Sequence, residues 1–227
     1  MPNDLQLHPG VSFCRVSDTL VFLDITQDRY FCFKGDQSDW FEEIIRTRQP
    51  ESLGKKASAF REHLIRKSML TCSPGQGGGI TACKHQAAST SLLDDGVNGT
   101  PGPKDSLRFF ATWLTCAATR RKPGIQILLE DTRRRKARLQ MPPMTDDAAR
   151  LASAFHALAP YVMTLHDACL FRSYILIRYL ASAGIPADWI FGVRLAPFSA
   201  HCWVEYQGRV LNEHLDTVME FQPILLA

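Results

Sequence analysis

The sequence predicts an α+β protein that carries one buried helix against an antiparallel sheet. Two observations carry this prediction. The run that begins at Cys169 is apolar around almost its whole helical circumference, and Gly184 and Pro186 stop it. Strand-like runs follow at 188–194 and 201–206, each short and rich in aromatic and β-branched residues. Helices and antiparallel strands that are segregated along the chain are typical of the α+β class.

Length and charge set the broad limits. A chain of 227 residues with 45% hydrophobic residues can form one large domain or two small ones, each with its own core. The net charge of +3 is too small to indicate nucleic acid as the main partner. The basic run at 133–138 is interpreted first as a solvated helix face and second as a contact for an acidic partner.

Cysteine usage and hydropathy indicate the compartment. The seven cysteines form no CxxC pair and their number is odd, which favours reduced thiols over a disulfide framework. The first residues show neither a basic n-region nor an apolar h-region. No apolar stretch reaches the roughly 20 residues that span a bilayer. We therefore expect a soluble, cytoplasmic protein that does not associate with membranes.

The chain divides into three parts. Strand-like runs near 11–16, 20–25 and 29–33 with turn residues between them predict an antiparallel meander. Helical spacing then continues to about residue 70, so residues 1–75 form a first domain of small strands and helices. Residues 76–104 are rich in Gly, Pro, Ser and Asp and predict a flexible linker. Residues 105–227 form the second domain.

Two residues of the second domain can form a nucleophile and base pair. Cys169 opens a helix and His201 opens a strand 32 residues later. Free N–H groups and the helix dipole favour the thiolate in a first helical turn, most strongly if Asp167 is the N-cap. A histidine can lower the thiol pKa further and then protonate a leaving amine.

The sequence leaves open which acidic residue orients the histidine as the third member of such a site. Glu213 is the nearest acidic residue on the strand across the hairpin, and Asp216 lies three residues beyond it. A two-residue turn at Gln207-Gly208 would place Glu213 opposite Cys202 rather than His201. A bulge or twist is needed to bring Glu213 onto the face of the histidine.

Two other interpretations use the same residues. Cys169 and His201 can be ordinary packing residues, since both residue types occur in protein cores. A zinc site of Cys169, His201 and Cys202 is disfavoured, because adjacent strand residues point to opposite faces. We therefore expect no metal.

A longer motif makes the assignment more specific. The chain from Cys169 to Glu213 resembles the lasso-peptide B proteins, which are cysteine peptidases of transglutaminase-like, papain-like fold that remove the leader from a ribosomal precursor. The segments that carry this resemblance are 169–174, 184–187, 192–198 and 200–205, followed by Gly208 and Asn212.

The resemblance extends to the first domain. Its strands and helices are similar to the small winged-helix-like module with which that family recognises precursor leaders. In that module the leader is gripped as an added strand, against the last helix. Transferred to this chain, the leader-binding residues are Tyr30, Phe31, Cys32, Phe33, Phe60 and Leu64.

For the second domain, the resemblance implies roles and partners. Cys169 is the nucleophile, His201 the base, and Glu213 or Asp216 the acid, where the family usually has Asp. The partners are the leader of the precursor peptide and a separate ATP-dependent lasso cyclase, and the peptidase step needs no cofactor. Two other functions remain open, a transglutaminase-type acyl transferase and a non-catalytic leader-binding scaffold.

Overall fold

The computed structural model describes residues 4–47, 50–73, 80–96, 99–118, 124–139, 145–163 and 169–227. The chain forms two compact units, residues 1–84 and residues 85–227.

The first unit combines two small antiparallel sheets with two helices. Its elements in chain order are β1 (Asp4–Leu7), β2 (Val11–Val16), β3 (Thr19–Asp24), β4 (Arg29–Phe33), α1 (Asp36–Arg46), a 3₁₀ turn (Pro50–Ser52), α2 (Lys55–Arg66) and β5 (Leu70–Ser73). β2, β3 and β4 pair as a meander with β4 at one edge, and β1 pairs with β5. The predicted three-stranded meander is confirmed.

An aromatic core holds the first unit together. Phe22 stacks between Phe13 and Phe31, with ring centroids 5.3 and 5.1 Å away, and Phe41 of α1 meets Phe22 edge to face. Offset and edge-to-face aromatic pairs contribute about 0.5–1.5 kcal/mol each beyond their burial. Phe13, Phe22 and Phe31 are cross-strand partners, so they lie on the face of this sheet that packs against α1.

The second unit contains the larger sheet. Its elements are β6 (Thr90–Ser91), α3 (Pro103–Ala118), α4 (Ile125–Lys136), α5 (Thr145–Leu158), a 3₁₀ turn (Ala159–Tyr161), α6 (Cys169–Ser182), β7 (Asp188–Arg194), β8 (Ser199–Tyr206), β9 (Arg209–Val210), α7 (Leu215–Met219) and β10 (Gln222–Leu226). The strand order is β10-β7-β8-β9-β6. All neighbouring pairs are antiparallel except β6 with β9.

Helix α6 lies at the centre of this unit. It packs against β8 on one side and against α3, α4 and α5 on others. The side chains from Ser173 to Ile177 are all buried, as its apolar circumference predicted. The helix ends where Gly184 takes φ 85°, and the Ile185 N–H then bonds the Leu180 carbonyl. The predicted α+β class is confirmed.

Part of the segment that we predicted as a flexible linker is instead built into the second unit. Residues 85–96, which we call the strap, include β6 and place Leu92 in the interior with 4% of its surface exposed. Residues 74–79 and 97–98 lie outside the described residues. The composition of the strap predicts a loop. Hydrogen bonds to β9 and α7 hold it in place instead, and such long-range partners cannot be recognised from the sequence.

The basic run at the end of α4 is engaged within its own unit. Arg134 and Arg135 pair with acidic residues one helical turn earlier, and Lys136 pairs with Asp188 of β7. None of the helices in the described ranges is long and apolar enough to cross a membrane.

Candidate active site

The fold brings Cys169 and His201 together. Cys169 is the first residue of α6, and His201 lies near the start of β8, the strand on which α6 packs. The Cys169 thiol and the His201 imidazole are hydrogen-bonded. The predicted N-cap, Asp167, lies outside the described residues.

Glu213 occupies the other side of the imidazole. Its Oε1 lies 3.2 Å from Nε2 of His201. The N–H direction departs from the line to the oxygen, so the contact is an ion pair rather than a linear hydrogen bond. Since Nε2 faces Glu213, Nδ1 is the ring nitrogen available to the sulfur. The three side chains thus stand in the order thiol, imidazole, carboxylate.

The second candidate acid is placed elsewhere. Asp216 lies exposed in the first turn of α7. Within the described ranges, no ion pair or hydrogen bond joins Asp216 to His201, whereas Glu213 contacts the ring directly.

The end of β9 explains how Glu213 reaches the histidine. Gln207 and Gly208 both have positive φ, 49° and 77°, as a two-residue type I′ hairpin requires. The ladder pairs Glu205 with Val210, and one further backbone bond runs from the Leu211 N–H to the Val204 carbonyl. The chain beyond Val210 leaves the strand, so strand alternation does not decide where the Glu213 side chain points.

The electrostatics of the pair favour charge separation. A hydrogen bond from Cys202 and the contacts with His201 lower the pKa of the Cys169 thiol to about 4, against the effect of burial. Burial disfavours the charged imidazole, but Cys169 and Glu213 outweigh it and raise the pKa of His201 to about 9. Between these two values the site holds a thiolate and an imidazolium.

Cys202 is a member of the site that the sequence did not assign. Its thiol and its backbone N–H both donate to the sulfur of Cys169. Adjacent strand residues point to opposite faces, which disfavours one zinc ion bound by both Cys202 and His201, yet both residues contact the Cys169 sulfur. The start of α6 lies close enough to the strand for Cys169 to reach both residues.

A buried polar network ties α6 to β8. The Ser173 hydroxyl donates to the Cys202 carbonyl at 3.2 Å and accepts from the Asn212 amide at 3.0 Å. The Asn212 side-chain oxygen accepts the Val204 N–H at 2.7 Å. Ser173 and Asn212 are almost fully buried, so these bonds fix the helix that carries Cys169 relative to the strand that carries His201.

Comparisons with known proteins agree with this geometry. Residues 111–226, just over half of the chain, match the transglutaminase-like superfamily. The chain belongs to the transglutaminase-like superfamily. No solved structure matches it significantly.

A match to one curated relative points to a narrower group of proteins than the superfamily does, but it covers a shorter part of this transglutaminase-like chain. The microcin J25-processing protein McjB of Escherichia coli is 49% identical over 45 residues. That match spans 20% of this chain and 22% of McjB, so each protein is compared over about a fifth of its length.

A glycine leaves room for the aromatic residues around the histidine. Gly192 of β7 pairs with His201 across the ladder. A Cβ at this position would lie 2.7 Å from the Trp203 ring and 2.8 Å from Phe221. Both aromatic rings neighbour the imidazole, with Phe221 5.4 Å away between centroids. Gly192 therefore lets Trp203 and Phe221 close around His201.

His156 is a second residue that sequence reasoning missed. It is largely buried on α5, and its Nε2 lies 2.8 Å from the Leu211 carbonyl, to which it donates. Its Nδ1 then accepts from Arg172 in the first turn of α6. Burial lowers the pKa of His156, so this ring is neutral. It holds the segment before Glu213 as a neutral hydrogen-bonding group.

The residues expected to bind a leader lie in the first unit and differ in exposure. Phe33 and Leu64 belong to the buried core, with 8% and 1% exposed, so a peptide cannot pack directly on them. Cys32 is exposed on β4, while Tyr30, Phe31 and Phe60 are half-buried. The assignment of these six residues to leader binding stays a prediction, and Tyr30, Phe31, Cys32 and Phe60 are the members with exposed surface.

A cavity of about 230 Å³ lies beside that edge strand. Its lining combines the apolar Phe31 and Met69 with the basic side chains of Arg29 and Lys67, and with His63. β4 has no partner on its outer edge within the described strands. The unpaired edge of β4 and this cavity therefore lie next to each other.

Proposed function

We propose that this transglutaminase-like protein is a cysteine peptidase that binds the leader of a ribosomal lasso-peptide precursor and cleaves it from the core peptide. The hydrogen-bonded Cys169 and His201, with Glu213 at 3.2 Å on the far side of the ring, carry the proposal. This arrangement has the nucleophile, base and orienting acid of a cysteine peptidase.

Two similarities support the substrate class. The motif from Gly192 to Glu205 resembles that of the lasso-peptide B proteins. The relative McjB is named for processing microcin J25, which is consistent with a role in the maturation of a peptide precursor.

In the first half-reaction the Cys169 thiolate attacks the last carbonyl of the leader. The His201 imidazolium gives its proton to the nitrogen of the first core residue as the peptide bond breaks. The core peptide leaves with a free amine, and the leader stays attached to Cys169 as a thioester. The Cys169 backbone N–H, at the start of α6, is available to the oxyanion.

The second half-reaction releases the leader. Neutral His201 takes a proton from a water molecule, and the water oxygen attacks the thioester carbonyl. The leader leaves as a carboxylic acid, and the thiolate and imidazolium are restored. Glu213 keeps the ring oriented and stabilises its positive charge in both halves.

The first unit supplies substrate binding under this proposal. We assign residues 1–75 to leader recognition by a winged-helix-like module, with the peptide added to β4 and its side chains directed towards α2. Tyr30, Phe31, Cys32 and Phe60 are the assigned residues with exposed surface there. Residues 105–227, completed by the strap, form the peptidase.

The core peptide released by this reaction is the substrate of a second enzyme under this proposal. The freed amine of the core is the nucleophile for macrolactam formation, which requires an activated carboxyl group. An ATP-dependent lasso cyclase is the partner that supplies this activation. Hydrolysis itself needs no cofactor.

Leader removal in two alanine variants tests the proposal. Cys169→Ala and His201→Ala should each abolish cleavage of the precursor, measured by mass spectrometry, while precursor binding persists in a fluorescence titration. Cys72→Ala, which removes an exposed thiol of the first unit, is the matched control and should cleave normally. Retained cleavage by Cys169→Ala would refute the peptidase assignment and favour a scaffold.

Family membership also favours a second candidate, acyl transfer. A transglutaminase-type reaction would join the thioester to an added amine instead of water. Incubation with precursor and excess glycine amide distinguishes the two, since hydrolysis gives a leader with a free carboxyl group and transfer gives an amide adduct.

A further inference from the structure

The strap is anchored to the second unit along most of its length. At its start, Nε2 of His85 lies 3.1 and 3.0 Å from the two carboxylate oxygens of Glu205, a residue with 3% of its surface exposed. In its middle, β6 pairs with β9, and the Leu92 N–H bonds the Val210 carbonyl. The strap is therefore the edge of the catalytic sheet.

Ser91 lies at the point where the strap passes Glu213. It is 1% exposed, and its Oγ donates to the backbone carbonyl of Glu213 at 2.5 Å. The same oxygen accepts the Leu93 N–H at 3.1 Å. Because Leu93 supplies the donor on one side, the hydroxyl hydrogen is directed at Glu213.

A second anchor, Asp94, follows three residues after Ser91. The Asp94 carboxylate accepts the Leu215 N–H at 3.0 Å and lies 2.7 Å from Nδ1 of His214. Ser91 and Asp94 thus hold residues 213 to 215 in place just before and at the start of α7. Glu213 lies outside β9, so no strand ladder constrains it.

We propose that Ser91 is a positioning residue that acts through Glu213: its buried hydroxyl holds the Glu213 carbonyl, and this contact directs the Glu213 carboxylate at His201. The inference rests on the proposed roles of Cys169, His201 and Glu213. It extends the catalytic unit to a residue far from the peptidase motif in sequence.

The charge on His201 reports this positioning directly. Contact with Glu213 contributes to the raised pKa of His201, so a displaced carboxylate lowers that pKa. A general loss of stability would not shift the pKa of one ring. The pKa of His201 therefore separates positioning from a purely structural role.

The test measures the iodoacetamide alkylation rate of Cys169 against pH, with mass spectrometry of the peptide that contains Cys169. The wild-type profile should rise near pH 4 and again near pH 9, as Cys169 and then His201 lose their protons. In Ser91→Ala the upper step should move to a pH about one unit lower, as expected when an adjacent carboxylate is displaced and the pKa of His201 falls. The kcat for precursor cleavage should fall with it, and KM should stay unchanged.

Three variants control this experiment. Asp95→Ala removes an exposed ion pair with Arg209 from the same strap and should keep the wild-type profile. Ser91→Cys keeps a weak donor of similar size and should give an intermediate shift. In a Glu213→Gln background, Ser91→Ala should cause no further shift, because the group through which it acts is already changed.

The outcomes separate the two proposals. An unchanged upper step in Ser91→Cys and in folded Ser91→Ala, or an equal shift in the Glu213→Gln background, would overturn the role of Ser91. A wild-type profile without the upper step would show that Cys169 and His201 do not form an ion pair, and this would contradict both proposals. A wild-type protein that shows both steps but cleaves no precursor would remove the peptidase proposal alone.

Discussion

At the scale of single residues, the charge on Cys169 depends on more neighbours than a cysteine and histidine pair. Cys202 donates to the sulfur through its thiol and its backbone N–H, and His201 adds its own hydrogen bond. Hydrogen bonds to the charged form lower an acid's pKa, even where burial opposes this. The residue after His201 therefore tunes the ionisation of Cys169.

The first prediction concerns the pH range of the reactive state. Cleavage by the wild type should follow a bell-shaped profile with limits near pH 4, where Cys169 gains its proton, and near pH 9, where His201 loses its own. Cys202→Ala removes one donor to the thiolate, so the acid limit should move up by about one unit or more. The initial rate of precursor cleavage against pH measures both limits.

Cys116→Ala is the matched control, because Cys116 is a buried thiol on α3. Its acid limit should equal that of the wild type. An unchanged limit in Cys202→Ala would contradict the role of Cys202.

The second prediction concerns the space around His201. Gly192→Ala places a methyl group against Trp203 and Phe221, which must shift and disturb the imidazole beside them. We expect the free energy of unfolding to fall by about 1–3 kcal/mol, the usual cost of overpacking. Urea denaturation measures this loss. Gly124→Ala, where no atom lies within 4 Å of the added carbon, should change little.

At the scale of elements, the polar network between α6 and β8 fixes the distance between Cys169 and His201. Ser173 is one helical turn after Cys169 and serves both the Cys202 carbonyl and the Asn212 amide. Both residues are almost fully buried. The network therefore converts the packing of α6 on β8 into the alignment of Cys169 with His201.

The third prediction follows from this network. Ser173→Ala leaves two buried polar groups without this partner, which should cost about 1–3 kcal/mol of stability. The rate of leader removal should also fall, since the two elements lose their register. Ser182→Ala on the same helix removes an exposed hydroxyl and is the control. Equal stability of the two variants in urea denaturation would show that the network is dispensable.

The elements that sequence predicted best are those with a continuous local signal. The apolar run of α6 and the strands β7 and β8 were predictable from periodicity and from the stop at Gly184. The strap was not, because its residues are polar and their partners, such as Glu213 for Ser91, lie more than 100 positions away. The placement of Glu213 also escaped prediction, since it depends on where β9 ends.

At the scale of the whole molecule, the two units divide binding from chemistry under the proposed function. The edge strand β4 and the cavity lined by Phe31 and Lys67 belong to residues 1–84, and the thiolate belongs to residues 85–227. Defects in the two units should then appear in different kinetic constants.

The fourth prediction tests this division. Phe31→Ala removes an apolar contact from the cavity beside β4, so the KM for the full precursor should rise while kcat changes little. The alkylation rate of Cys169 should stay at the wild-type value. Arg46→Ala, an exposed residue at the end of α1, is the control in the same unit. A fall in kcat alone would contradict the assignment of the cavity beside β4 to substrate binding.

The most direct test of the account is the capture of the covalent intermediate. Rapid acid quenching of the protein with its precursor, followed by mass spectrometry of the peptide that contains Cys169, should show an adduct with the mass of the leader less one water. Cys169→Ala should show neither adduct nor cleavage. Leader removal that proceeds in Cys169→Ala at the wild-type rate, without an adduct at any time, would contradict the central claim.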